Sequence, residues 1–234
     1  MARDKDGERP AKRIRVSTDE RSKVTGDVIT ILVGPKQKAY TVHEELARAS
    51  SPVIDKALTA SWVEHCNRTI QFPEDEPATF EIYMHWLYFS TFAVVSYDGS
   101  SGYRPLIKAY VLGDKLLDTK FQDAVVDAIV ERRYSKDLGC KYTQPSNDTI
   151  NWLYSHTTSS APIRQLFVDM LADLRRPPPA ATVLGKETSQ EFLLQLIAKL
   201  YERRTTDKTP LKASDYYRQP TDPSKPTQPE DKSK

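Results

Sequence analysis

One apolar run limits the possible folds of this chain more than any other feature. Residues 28–33 hold a single polar residue, and Gly34-Pro35 follows them directly. A short run that ends at turn residues is typical of a strand buried on most of both faces. Apolar and polar residues alternate just beyond the turn, which predicts a partner strand over 38–42.

A third strand is predicted further along the chain. Ile70 and Phe72 alternate with polar residues, and Pro73 ends the run because proline cannot donate a hydrogen bond to a sheet. We therefore expect an α+β fold with a small sheet. Its predicted strands cover about 27–34, 38–42 and 68–72.

Two helices are predicted between the second and third strands. Thr41 and Glu44 have the spacing of a capping box, which predicts a helix that begins at His43. Ser51-Pro52 predicts a second helix, with serine as its N-cap and proline at its first helical position.

Six further helices are predicted from apolar residues at helical spacing. The first, which ends near Ser90, is apolar on nearly all sides, and such a helix is expected to be central in the fold. Residues 92–95 predict either a short strand or an extended loop. The other five predicted helices cover about 104–117, 119–133, a short segment capped by Asn147-Asp148, 162–174 and 189–203.

The stretch from the first predicted strand to the second predicted helix holds a set of residues at characteristic spacing: Asp27-Val28, Tyr40-Thr41-Val42-His43, Leu46, Ser50-Ser51 and Ile54. This set resembles the opening of a BTB/POZ domain. The resemblance covers roughly 26–135 and implies a BTB/POZ fold, a small mixed sheet capped by a cluster of helices, with a C-terminal all-α extension. It also implies a packed, structural His43. The chain departs from the pattern at Glu44, where Lys or Arg is usual, and near Ile54, where Phe is usual.

Charge and composition divide the chain into four predicted parts. Residues 1–23 hold eight Lys/Arg and five Asp/Glu, a net charge of +3, and lack aromatic residues. We expect a disordered basic arm there, a BTB/POZ domain over 24–136, a helical extension over 137–204 and a disordered Pro- and Lys-rich tail over 205–234.

The basic arm contains one candidate targeting signal. Lys12, Arg13 and Arg15 follow Pro10 and resemble a nuclear-import signal; the alternative is a solvated basic arm. The chain has two cysteines and no apolar run near ~18 residues, so we expect neither a disulfide scaffold nor a secreted or membrane-spanning protein. The predicted location is the nucleus, the cytoplasm or both.

Catalytic and metal-binding patterns do not occur in the sequence. It lacks the glycine-rich phosphate loops and the Gly-x-Ser-x-Gly turn, and its four histidines form no His-x-x-x-His pair. We therefore predict that the protein is not an enzyme and uses no cofactor or metal. The net charge of the arm, +3, is too low for tight binding to DNA, which uses ~6–10 phosphate contacts.

The segment Trp62-Val63-Glu64 is a candidate partner site. In BTB/POZ adaptors of cullin ubiquitin ligases, this segment carries a hydrophobe-x-Glu motif that contacts the cullin. The resemblance therefore implies a cullin contact here. The alternative is structural, with Trp62 covering the core.

A second candidate site is a dimer surface around Asp27, Val28, Ile29 and Glu44. Many BTB/POZ domains dimerise here and pair the acid that matches Asp27 with the base that follows the histidine. In this chain an acid would face an acid and repel it, which leaves an apolar dimer surface.

The predicted function is a non-enzymatic protein–protein interaction module that mediates homo- or hetero-oligomerisation. It resembles a fungal-type BTB/POZ protein without an appended effector domain. The alternatives are an adaptor of a cullin-type ubiquitin ligase, or a nuclear, transcription-associated cofactor without direct DNA binding.

Overall fold

The structure is a computed structural model that describes residues 25–60, 68–94, 102–134, 144–173, 184–185 and 187–203. It confirms an α+β architecture, with three strands and eight helices in those ranges. The strands are β1 (Val28–Val33), β2 (Lys38–His43) and β3 (Thr69–Phe72). The helices are α1 (Glu44–Ser50), α2 (Pro52–Ala60), α3 (Pro77–Phe89), α4 (Tyr103–Leu116), α5 (Thr119–Tyr134), α6 (Asn147–His156), α7 (Pro162–Leu171) and α8 (Gln190–Arg203).

The sheet is small and mixed, with strand order β2-β1-β3. β1 pairs with β2 antiparallel, from Val28 opposite His43 to Val33 opposite Lys38, and pairs with β3 in parallel. The turn between β1 and β2 uses Gly34 at a φ of +76°, and a Cβ atom there would lie 3.2 Å from Pro77. Both the backbone angle and the close approach therefore require glycine.

β1 is buried on one face and only partly covered on the other. Ile29, Ile31 and Val33 are buried, whereas Thr30 and Leu32 keep part of their surface accessible. The prediction of burial on most of both faces was therefore only partly right. The continuous apolar run does not distinguish these two cases, because the strand period assigns alternate residues to opposite faces.

α3 lies at the centre of the fold, as predicted. Phe80 and Tyr83 are fully buried, and the ring of Phe121 on α5 lies 4.9 Å from Tyr83 and 5.1 Å from Trp86. Aromatic rings at these separations and tilted angles attract one another in addition to burying area. The aromatic cluster therefore connects α3 directly to α5.

Several predicted helix boundaries were wrong by one residue or a few. α1 begins at Glu44, and His43 precedes it without any side-chain cap hydrogen bond, so the predicted capping box does not form. Thr41 is a strand residue that pairs with Thr30, and this pairing prevents it from acting as an N-cap. Ser51 does cap α2, since its Oγ accepts from the backbone N of Ile54 at 3.2 Å.

The later helices were predicted with similar accuracy. Ser146, not Asn147-Asp148, caps α6, because its Oγ accepts from the backbone N of Thr149 at 3.3 Å. The helix predicted over 162–174 ends at Leu171, and Leu174 lies outside the described residues. Residues 92–94 form no strand; Phe92 instead packs on the ring of Phe121 at 5.8 Å.

The last three helices pack directly on the sheet-containing part. Tyr103 of α4 contacts Phe167 of α7 edge to face at 5.9 Å. Arg133 of α5 donates from Nη2 to the backbone oxygen of Met170 at 3.0 Å. Among the described helices, none is long and apolar enough to cross a membrane.

Candidate interaction surface

The start of β1 and the end of β2 bring two predicted site residues together. The hairpin sets Val28 opposite His43, so Asp27 and Glu44, the next residue on each side, are neighbours. The backbone N of Glu44 donates to the backbone oxygen of Asp27 at 2.9 Å. The two carboxylates therefore meet within one chain at this end of the sheet.

Arg68 lies between these two acids and binds both. It precedes β3, whose parallel pairing with β1 brings it to this end of the sheet, and its backbone oxygen accepts from Thr30 N at 2.8 Å. Its guanidinium lies 2.9 Å from the carboxylate of Asp27 and 3.5 Å from that of Glu44. The hydrogen bond to Asp27 raises the pKa of Arg68, so the guanidinium remains charged.

Arg48 continues this charged group along α1. One helical turn after Glu44, it binds the carboxylate of Glu44 at 3.0 Å and that of Asp55 on α2 at 2.7 Å. The hydrogen bonds to Glu44 and Asp55 raise the pKa of Arg48. A shallow depression of about 420 Å³ lies over this group. Its lining is Thr25, Gly26, Asp27, Glu44, Glu45, Arg48 and Arg68.

Val28 is the apolar side chain that this surface exposes. It is 45% exposed and lies next to Asp27 at the first position of β1. Ile29, the other predicted apolar member of the dimer surface, is 1% exposed and belongs to the core. Its side chain points to the opposite face because successive strand residues alternate, so the predicted surface role of Ile29 does not fit its burial.

The ion pairs that Arg48 and Arg68 form are weak and can change partners. Each lies at the surface, where such pairs typically contribute ~0–1 kcal/mol. A partner protein that offers new charges can therefore replace them at little cost. The arrangement suits recognition of another protein, because the fold sets the positions of exposed charges at the end of the sheet where Val28 is also exposed.

Two signature residues connect β2 to α3. The hydroxyl of Tyr40 donates to the carboxylate of Glu81 at 3.0 Å, and the ring of Tyr40 lies 5.2 Å from that of Phe80. His43 Nδ1 shares a hydrogen bond of 2.9 Å with the hydroxyl of Tyr88. Both contacts are structural, since they fix the strand to the central helix.

The other two signature residues stabilise the core. Leu46 is buried against it, and Ser51 is fully buried. The Oγ of Ser51 donates to the backbone oxygen of Leu116 at 2.7 Å. This bond fixes the start of α2 to the end of α4.

The remaining predicted sites lie outside the described residues. They are the candidate cullin contact, Trp62, Val63 and Glu64, and the candidate import signal, Lys12, Arg13 and Arg15.

Sequence reasoning missed the two arginines of this surface. Arg48 could have been found, because Glu44 and Arg48 have the i, i+4 spacing of a helical ion pair. Arg68 gives no local signal, since its partner Asp27 lies 41 residues earlier in the chain. Within the described ranges, no group of three or more His, Cys, Asp or Glu side chains could hold a metal ion.

Comparison with known proteins adds little to this geometry. No family model matches the chain, and no curated protein matches it. Among solved structures, it is similar to the BTB domain of zebrafish PATZ1, with 13% identity and a TM-score of 0.33. The match covers 44% of this chain and 75% of that one. An overlap of this extent does not assign the chain to a family.

Proposed function

We propose that this chain is a non-enzymatic protein–protein interaction module of the BTB/POZ type that self-associates at the surface around Val28. The observation that carries the proposal is the exposed Val28 at the first position of β1, beside a group of charges already paired within the chain. The order of the described elements from β1 to α5 supports the fold type, since it is the order that the resemblance implies.

Arg68 removes the main electrostatic objection to a homodimer. A two-fold dimer sets the same patch of each copy against the other, so Asp27 of one copy would approach Glu44 of the second. Both acids already bind Arg68 of their own chain. Two copies can therefore meet without an uncompensated pair of carboxylates, and Val28 supplies apolar area at the centre.

The experiment is sedimentation velocity on the full chain over a concentration series, comparing wild type with Val28→Glu. We expect wild type to self-associate and the variant to associate at least ~10-fold more weakly, because a buried unpaired carboxylate at an interface costs several times RT. Leu117→Glu is the matched control, since Leu117 is also an exposed aliphatic residue but lies between α4 and α5. Equal association of Val28→Glu and wild type would refute the proposal.

A second variant tests the electrostatic part. Arg68→Gln removes the positive partner of Asp27 and leaves Glu44 with Arg48 alone, so the dimer is expected to weaken at low ionic strength and to recover at high salt, which screens exposed charges. Arg48→Gln is the control, because it leaves the bond between Arg68 and Asp27 in place. An effect of Arg68→Gln that does not change with salt would contradict the electrostatic role.

The cullin-adaptor alternative depends on the short pattern Trp62-Val63-Glu64. If the protein is an adaptor, a cullin will co-purify with wild type and be lost with Glu64→Lys. Equal recovery of a cullin with both chains would count against this segment as the contact. A nuclear role depends on Lys12, Arg13 and Arg15, and alanine at all three should shift a fluorescent fusion toward the cytoplasm.

A further inference from the structure

The last helix, α8, carries apolar side chains on two opposite faces. Phe192 and Leu196 are buried in the core. On the other side Leu194, Ile197 and Tyr201 are 61%, 50% and 68% exposed. A helix at the surface of a globular protein normally shows polar residues on its outer side. Among the residues that the structure describes, no element covers the outer face of α8, which is therefore an apolar surface.

The exposed residues form one continuous stripe. Leu194, Ile197, Ala198 and Tyr201 have i, i+3, i+4 and i+7 spacing, so they lie within one narrow sector of the helix. This is the spacing of the seam between two packed helices. Ala198, the smallest member and also exposed, lies near the middle of the stripe.

The orientation of α8 is fixed by contacts on its inner face. The ring of Phe192 lies edge to face with Tyr154 of α6 at 5.5 Å, and the Tyr154 hydroxyl donates to Gln195 at 2.5 Å. At the other end, Arg203 donates from Nη1 to the backbone oxygen of Ala172 at 3.1 Å. Bonds at both ends prevent the helix from turning its outer stripe inward.

We infer that the outer stripe of α8 binds the same stripe of a second copy, with the two helices antiparallel. The charges favour this occupant. Glu187 precedes α8 and Glu191 lies in its first turn, so this end is negative. The last turns carry Lys199, Glu202 and Arg203, and Arg204 follows in the sequence, so that end is net positive. An antiparallel pair sets the acidic end of each helix beside the basic end of the other, whereas a parallel pair sets like charges together. The helix dipoles favour the same orientation.

The stripe is also complementary to itself in shape. A two-fold axis that passes between positions 197 and 198 sets Ile197 against Ala198 of the second copy. The same axis sets Leu194 against Tyr201 of the second copy. A large residue thus meets a small one at the crossing point, which permits a close approach of the two backbones.

The expected contact is weak. Two 14-residue helices that bury one stripe each fall below the ~1,200 Å² of a standard stable interface. Association through α8 should therefore be reversible and dependent on concentration. The inference is independent of the proposed function, because it uses a different surface of the molecule.

The first experiment starts from full-length Val28→Glu, so that the surface around Val28 does not contribute. In sedimentation velocity this chain is expected to dimerise weakly at high concentration. Adding Leu194→Glu and Ile197→Glu should weaken that association at least ~10-fold, whereas adding Leu117→Glu should leave it unchanged. A monomer at every concentration before the α8 changes, or equal association after them, would overturn the inference.

Cross-linking then tests the antiparallel geometry in a Cys66→Ser, Cys140→Ser background. Disulfides need Cα atoms within about 7 Å. Ala198→Cys should therefore form a disulfide with itself, whereas Leu194→Cys should form one only when mixed with Tyr201→Cys. Self-cross-linking of Leu194→Cys would indicate parallel helices and overturn the geometry. Failure of every cross-link would mean that another protein, or this chain itself, covers the stripe, and would overturn the inference.

Discussion

The sheet-containing region, β1 to α5, and the helical region, α6 to α8, are stabilised differently. In the first, the centre is apolar and aromatic: Phe80, Tyr83 and Phe121 are fully buried and contact one another in sequence. In the second, a buried arginine joins the helices. Arg164 of α7 is 4% exposed and donates to the backbone oxygen of Tyr154 at 2.7 Å and to Glu191 of α8 at 2.8 Å.

This difference explains why the two regions expose different surfaces. The apolar core of the sheet-containing region buries most of its large hydrophobic side chains, and the few that stay exposed are scattered: Val28, Phe89, Leu117 and Tyr134. Directional bonds from Arg164 instead fix three short helices at set angles. The helical region therefore holds its shape while the outer side of α8 stays exposed.

The largest expected effect tests the aromatic core. Phe121→Ala should lower the free energy of unfolding by about 3–5 kcal/mol, because it removes a fully buried ring and leaves a cavity beside Tyr83 and Trp86. Urea denaturation followed by tryptophan fluorescence measures this change. Phe89→Ala, at a position 66% exposed, should change stability by less than about 0.5 kcal/mol. Similar losses for both variants would contradict the described core.

The next effect tests the role of Arg164 in the helical region, α6 to α8. Arg164→Met should destabilise α6 to α8 by about 3 kcal/mol, because it leaves the carbonyl oxygens of Tyr154 and Thr157 without their donor. The hydrogen-exchange rates of the backbone amides should increase far more across residues 147–203 than across residues 25–94. Glu191→Gln is the control and should cost less than about 1 kcal/mol, since Glu191 is partly exposed. Uniform exchange changes in both regions would mean that they unfold as one unit.

The third effect concerns pH. Burial raises the pKa of Tyr154 to about 12, against about 10 in an unfolded chain. The folded state holds the proton of the Tyr154 hydroxyl more tightly than the unfolded chain does. This proton therefore contributes in full to the free energy of unfolding below about pH 10, and the contribution is lost as pH rises through about 12. The loss is on the order of 2 kcal/mol.

Urea denaturation at a series of alkaline pH values measures the slope of the free energy of unfolding against pH. Tyr154→Phe should flatten it, whereas Tyr201→Phe, at an exposed position, should leave it as in wild type. Burial also raises the pKa of Tyr83, so the sheet-containing region keeps an alkaline slope of its own. An unchanged slope in Tyr154→Phe would contradict the burial of its hydroxyl.

The smallest effect is a stabilisation. Leu117 ends α4 with a φ of +54° and is 59% exposed, a conformation that disfavours side chains with a Cβ atom. Leu117→Gly should therefore raise the free energy of unfolding by about 0.5–1 kcal/mol. Thermal denaturation should show a rise of about 2 °C in the Tm. Leu117→Ala retains the Cβ atom and should give no such gain; equal gains would exclude backbone strain as the cause.

Local patterns in the sequence were sufficient to predict the strands and most helices. The alternation at Ile70 and Phe72 and the Ser51-Pro52 helix start depend on neighbouring residues, so they can be recognised without tertiary contacts. The start of α1 could not be predicted in this way. Thr41 looked like an N-cap, but its pairing with Thr30 in the sheet prevents capping.

The surfaces were harder to predict because they depend on distant contacts. Arg68 meets Asp27 only through the parallel pairing of β1 and β3. Arg164 carries a charge that a sequence pattern assigns to solvent, yet two helix-end carbonyl groups hold it in the core. On α8, helical spacing identified the apolar residues, but it could not decide which of the two faces the core would take.

The most direct test of the whole account is sedimentation of four full-length chains over the same concentration range. They are wild type, Val28→Glu, Leu194→Glu/Ile197→Glu and the combination of these changes. A self-associating module with two surfaces should form dimers and larger species as wild type, dimers in each single-surface variant, and monomers in the combination. A monomeric wild type, or a combined variant that associates as wild type does, would contradict the account.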